Sequence, residues 1–120
     1  MKHKKLNRTK GIYGEKLACK YLERNNYRII KKNYKNCFGE IDLIAMEKSE
    51  IVFIEVKMRT DQKYGSGFDA INYYKIRHIK NIANVFIKNN KFENYSIRFD
   101  AIQIYIIGEK VRLEHVKQII

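Results

Sequence analysis

No proline occurs in the 120 residues, and no serine- or glycine-rich stretch interrupts them. A chain this long without a linker reads as one domain, residues 1–120. Its hydrophobic share of 45% suffices for a real core at that size. Long apolar runs are also missing: none reaches the roughly 18 residues of a membrane span. The N-terminus is basic with no apolar segment behind it. Neither a signal peptide nor an anchor is therefore expected, nor a membrane partner, and the expected location is cytoplasmic. Only two cysteines are present, Cys19 and Cys37. They lack C-x-x-C spacing and have no histidine near them in sequence, which argues against a zinc ribbon and for ordinary thiols in a reducing cytosol. The absence of Walker and G-x-G-x-x-G loops argues against nucleotide binding through those motifs. His3, His78 and His115 are scattered, and no serine or cysteine has an evident base for metal-free nucleophilic chemistry.

Acid is the scarce charge, 13 Asp and Glu against 25 Lys and Arg, for a net +12. The excess is uneven. Residues 1–35 carry twelve cations against Glu15 and Glu23, a net +10. A basic arm over about residues 1–10, with Lys4, Lys5, Arg8 and Lys10, followed by a basic helix, attracts a polyanion and makes its binding salt-dependent. A compositional bias toward lysine explains the count but explains the clustering poorly. With only seven arginines the chain is short of base-reading donors, so backbone or shape recognition is expected.

What the chain does contain is charge inside strand-like runs. Residues 40–46 and 51–57 are apolar and β-rich, and they flank the polar connector Glu47-Lys48-Ser49-Glu50, a length common in hairpins. If Met46 pairs with Ile51, Asp42 lies opposite Glu55 and Glu40 opposite Lys57. A side-chain period of two then puts Glu40, Asp42, Glu55 and Lys57 on one face and Ile41, Leu43, Val52, Ile54 and Val56 on the other, provided no bulge intervenes. Like charges directly opposite one another are destabilising, so Asp42 and Glu55 want a cation between them. Few hard oxygen donors suit Mg²⁺, or Mn²⁺, which keeps open positions for phosphate oxygens and supports phosphodiester hydrolysis. Lys57 could orient the attacking water or stabilise charge on the phosphate. The bland alternative is an edge-strand ion pair of Glu55 and Lys57 facing water.

Asp42, twelve residues, then Glu55-Val56-Lys57 resembles the PD-(D/E)-x-K signature of the restriction-endonuclease-like superfamily, with Ile41 in place of the proline. More specifically, the blocks GEKLA (14–18), GEIDLIA (39–45), FIEVKMR (53–59), Lys75 with Ala83, and RFDAI (98–102) resemble the YraN-type bacterial family, which is likened to archaeal Holliday-junction resolvases. The last residues, 114–120, lack the Ala-Phe ending of that pattern. The resemblance implies a metal-dependent endonuclease acting on DNA, with branched or structured DNA as a candidate substrate, Glu15, Asp42 and Glu55 holding metal and Lys57 assisting catalysis. It puts DNA ahead of RNA, and a homodimer would suit two-fold junctions. The alternative is a non-catalytic DNA- or RNA-binding protein whose acids are structural.

The rest of the chain fits that implied fold, an α/β mixed sheet flanked by helices in the order α-β-β-β-α-β-β. A helix is expected over about 9–25 with Thr9 as N-cap, and Glu15, Ala18, Cys19 and Leu22 follow its apolar stripe. Residues 27–34 read as a strand, 58–67 as a polar loop whose Gly65 and Gly67 could order over substrate, and 68–88 as a second helix. Residues 95–107 read as an interior strand and 111–116 as a short last one. Lys75, on the apolar side of the second helix, either contacts phosphate or snorkels from the core margin. Arg59 holds either a phosphate or the loop, and Arg98 with Asp100 reads as a structural strand ion pair.

Overall fold

The computed structural model describes the backbone of residues 2–59 and 73–120, and the side chains of residues 13–59 and 77–120. In chain order the elements are α1 (Lys2–Arg24), β1 (Arg28–Asn36), β2 (Gly39–Glu47), β3 (Glu50–Arg59), α2 (Tyr73–Asn89), β4 (Ser96–Ile107) and β5 (Lys110–Val116). They form a five-stranded mixed sheet in the order β1-β2-β3-β4-β5, with only the β3–β4 pair parallel. The order and the mixed sheet are those expected from the sequence. The start of the first helix is not: it begins at Lys2, so Thr9 lies inside it rather than capping it and residues 2–10 belong to the helix; Met58 and Arg59, expected in the loop, instead end β3. Nothing in residues 2–8 breaks a helix, so the turn structure extends back through Thr9. The segment 60–72, which includes Gly65, Gly67 and Ile71, lies outside the described residues.

Two apolar layers sandwich the sheet. Ala18, Cys19 and Leu22 of α1 pack on Leu43, Ala45, Val52, Ile54, Ile102 and Ile104, which alternate along β2, β3 and β4. Ile82, Ala83, Phe86 and Ile87 of α2 pack on the opposite set, Ile41, Ile44, Ile51 and Phe53. Such alternation is what a strand covered on both faces requires. Both helices end by the same device. Asn26 at φ 68° and Lys91 at φ 58° take the left-handed conformation, and Tyr27 and Phe92 donate back to Leu22 and Ile87 at 2.9 Å. This is a Schellman-type stop that caps late helix carbonyls.

Gly39 sets how closely α2 approaches the sheet. It sits at φ 141°, and a Cβ there would lie 3.0 Å from His78 Nε2 and Ile82 Cδ1. Beside it, Asn36 Oδ1 accepts from Phe38 N at 2.9 Å, closing the β1–β2 turn, and Asn36 Nδ2 donates to Ile82 O of α2.

Candidate active site

The hairpin adopts the expected register where it is apolar. Leu43 pairs with Ile54, Ile44 with Phe53, Ala45 with Val52 and Met46 with Ile51, and the loop is Lys48-Ser49 with Lys48 at φ 55°. The ladder then stops before Asp42 and Glu55. In place of a further cross-strand bond, Asp42 Oδ2 accepts from the backbone N–H of Val56 at 2.8 Å.

The face assignment holds on β3 and breaks on β2. Val52, Ile54 and Val56 face α1 and Phe53 faces α2, so the unbroken pairing of β3 with β4 puts Glu55 and Lys57 on Phe53's side. Ile41, expected beside Leu43, instead packs with Ile44 in the α2 layer. The alternation therefore slips at Asp42. The neighbouring position on β1 shows why: Asn33, between the pairs Lys32–Leu43 and Tyr34–Ile41, has φ 51°, so both strands are irregular at that level. Asp42 consequently occupies the seam where the ribbon opens, rather than a regular place on one face.

Glu15, half-buried on α1, accepts a 3.1 Å hydrogen bond from Asn33 Nδ2, so the irregular residue of β1 also ties the helix acid to the seam. Glu55 is half-buried and Lys57 exposed. Burial first, and then the nearby carboxylates of Glu55, Glu15 and Glu40, push the Asp42 pKa up to about 6, against the opposing pull of the Val56 N–H. The expected acids are thus electrostatic neighbours of one another. They are not an assembled ligand set: among the described residues no three His, Cys, Asp or Glu side chains stand close enough to hold a metal ion. The donor chemistry, several carboxylate oxygens around one disfavoured charge, is nonetheless of the kind a hard divalent cation relieves.

Of the expected nucleic-acid contacts, Arg59 ends β3 half-buried, with its Nε unpaired among the described residues. Lys4, Lys5, Arg8 and Lys10 lie on α1 and Lys75 on α2, and their side chains are outside the described residues.

A second polar centre lies on the α1 side of the sheet. Arg98, expected to pair with Asp100, does so through Nε at 2.8 Å and Nη2 at 2.9 Å. It also reaches Glu47 and Glu50, both at 3.0 Å, and the Tyr27 hydroxyl at 2.6 Å. Glu47 and Glu50 face each other across the hairpin end, and Arg98 neutralises that like-charge pair. His115 Nε2 bonds Asp100 Oδ2 at 2.7 Å, while its Nδ1 meets the Tyr21 hydroxyl at 2.9 Å. Burial alone would raise the Asp100 pKa, but the bonds from His115, Arg98 and the Gln118 N–H outweigh it and hold the carboxyl below its ordinary range. Burial pushes Tyr27 up to about 12. Nothing in the sequence signals the roles of His115, Tyr21 and Tyr27, because only the fold brings them to Asp100 and Arg98.

The two cysteines are free thiols, Cys19 buried and Cys37 exposed. Among the described residues no helix is long and apolar enough to cross a membrane.

Comparison with known proteins places these features in a family. Residues 14–104 match the model described as uncharacterised protein family UPF0102. The span holds Glu15, Asp42, Glu55, Lys57 and the Arg98–Asp100 pair. A UPF0102 protein of Caldanaerobacter subterraneus subsp. tengcongensis is 45% identical over 98% of this chain and 97% of its own. One from Clostridium beijerinckii is 38% identical over 95% and 94%. Another, from Fusobacterium nucleatum subsp. nucleatum, is 40% identical over 88% and 86%. The chain belongs to the UPF0102 family, which is the YraN-type family its sequence blocks resemble.

Proposed function

We propose that the protein is a metal-dependent endonuclease that hydrolyses phosphodiester bonds in DNA, with branched or otherwise structured DNA as its substrate class. The observation that supports this best is Asp42: a half-buried carboxyl in an opened seam, its pKa raised to about 6 by burial and by Glu55, Glu15 and Glu40, in a chain of net charge +12. A fold keeps such destabilised charge chiefly where function uses it.

Asp42, Glu55 and Glu15 would hold Mg²⁺ or Mn²⁺, for which Glu15 would exchange its bond to Asn33. When bound, the ion polarises the phosphoryl group and lowers the pKa of a water. Lys57, two residues beyond Glu55 on the same side of β3, orients the water and offsets charge on the phosphate. In the reaction the water oxygen forms the new bond to phosphorus, the bond to the leaving ester oxygen breaks, and that oxygen ends protonated. The basic N-terminal third supplies affinity for the backbone without base readout.

Labelled four-way junctions, flaps, single strands and duplex, each incubated with Mg²⁺, Mn²⁺ or EDTA, test this reading. Metal-dependent cutting is expected, falling by roughly 100-fold or more in Asp42→Ala and Glu55→Ala. Equal cutting by wild type and variants would defeat the proposal.

A second reading, a non-catalytic DNA- or RNA-binding protein, draws on the lack of an assembled three-acid metal cluster among the described residues. On that reading calorimetry finds no divalent-metal site, and Asp42→Ala keeps or improves nucleic-acid affinity because it removes a negative charge.

A further inference from the structure

Two buried hydrogen-bond donors on the sheet have no acceptor among the described residues. Gln103 is fully buried in the middle of β4, and its Nε2 has no partner there; Arg59 Nε, at the end of β3, is likewise buried and unpaired among the described residues. Buried amides and guanidinium N–H groups are nearly always satisfied, so two orphans close together call for an explanation. Register brings them together. In the parallel β3–β4 ladder Lys57 lies beside Gln103 and Arg59 beside Tyr105, so the four side chains share one face, the one that carries Glu55.

Tyr105 donates its hydroxyl to Gln103 Oε1 at 2.6 Å, which uses the acceptor end and leaves the NH₂ end unmatched among the described residues. The acid nearest by register is Glu114, across from Gln103 on β5, and it does not bond Nε2. Next to it, Arg112 lies 4.5 Å over the Tyr105 ring and adds positive charge to that side of the patch. A group that matches two N–H donors and a neighbouring lysine must present several anionic oxygens, and phosphate does so.

We infer that Gln103 and Arg59 form a phosphate-binding subsite beside Lys57, with Tyr105 as the positioning residue that turns the Gln103 amide toward it. The inference rests on the nuclease reading only for the owner of the phosphate, which is then a backbone phosphodiester held next to the scissile one. The subsite itself needs neither metal nor cleavage.

Side-chain ¹⁵N NMR in EDTA tests it directly. Inorganic phosphate and a short single-stranded oligonucleotide are titrated separately while the Gln103 Nε2–H₂ and Arg59 Nε–H signals are followed. Saturable shifts of both signals with either ligand are expected. A response to the oligonucleotide but not to free phosphate supports a phosphodiester subsite, and the reverse supports a site for free phosphate. Gln103→Met, similar in size and without donors, should keep the fold and bind the responding ligand roughly 10-fold more weakly. Should that variant unfold, Tyr105→Phe frees the amide to rotate and is expected to weaken the response as well. Unmoved signals, or equal binding by the variants, would overturn the inference and leave the donors satisfied by buried water. Asp42→Asn is expected to keep the phosphate response while losing cleavage; absence of cleavage by the wild type with that response intact counts against the nuclease reading alone.

Discussion

At the scale of single residues, the molecule sets a half-buried and a buried carboxyl in opposite electrostatic circumstances. Withdrawal from water, and then three acidic neighbours, raise the Asp42 pKa from 3.8 to about 6 against the pull of one backbone donor. The folded state therefore binds a proton more tightly than the unfolded chain, and stability from this group falls as pH rises from about 4 to about 6. Asp42→Asn keeps an acceptor for the Val56 N–H and removes the charge. Urea unfolding should show it more stable than wild type by up to about 3 kcal/mol at pH 8, with the gain fading as pH drops toward 4. A variant no more stable at pH 8 would mean that the charge is not strained. Asp100 has the opposite sign. Its folded pKa is lowered, so its contribution is complete above the ordinary carboxylate range and is lost as pH falls through the lower folded value. Arg98→Met leaves Asp100, Glu47 and Glu50 without their common cation and should lower stability by about 3–5 kcal/mol in the same assay. A loss below about 1 kcal/mol would show that the network is replaceable.

At the scale of elements, the hairpin was legible in the sequence because alternation and connector length leave one register that buries Leu43, Ala45, Val52 and Ile54 together. Its end was not. The slip at Asp42 depends on Asn33 in the left-handed region on the adjoining strand, and an asparagine in a polar stretch gives only a weak hint of that. Ile41 is equally apolar on either face, so nothing in its identity assigned it to the α2 layer. The Arg98–Asp100 pair was readable from its i, i+2 spacing, whereas the partners that complete it come from α1, the turn before β1, the hairpin and β5. Asn33 offers a test of the seam. Asn33→Gly keeps the backbone and loses only the bond to Glu15, while Asn33→Ala also loses tolerance of φ 51°. The alanine variant should unfold at lower urea than the glycine variant by about 1 kcal/mol. Equal stability of the two would place the irregularity elsewhere.

At the scale of the whole molecule, an acid seam opens between β2 and β3 in a chain whose first 35 residues, all of α1 among them, carry a net +10. Affinity for DNA should therefore come from counterion release. Plotted as log K against log salt, binding of a junction or duplex should fall with a slope of several, and change little with base sequence. A flat salt response would contradict a phosphate-backbone interface. On the proposed function a divalent ion would be more than a screening agent, because a cation between Asp42, Glu55 and Glu15 would offset the burial and the repulsion that raise the Asp42 pKa.

That relief is measurable without any substrate, by titrating the Asp42 carboxyl carbon by ¹³C NMR with and without Mg²⁺. The carboxyl should titrate near 6 in EDTA, and well below the ordinary carboxylate range when Mg²⁺ saturates the site, with the shift reduced in Glu55→Gln. An Asp42 pKa near 3.8 that Mg²⁺ leaves unmoved would contradict a cation site at this seam.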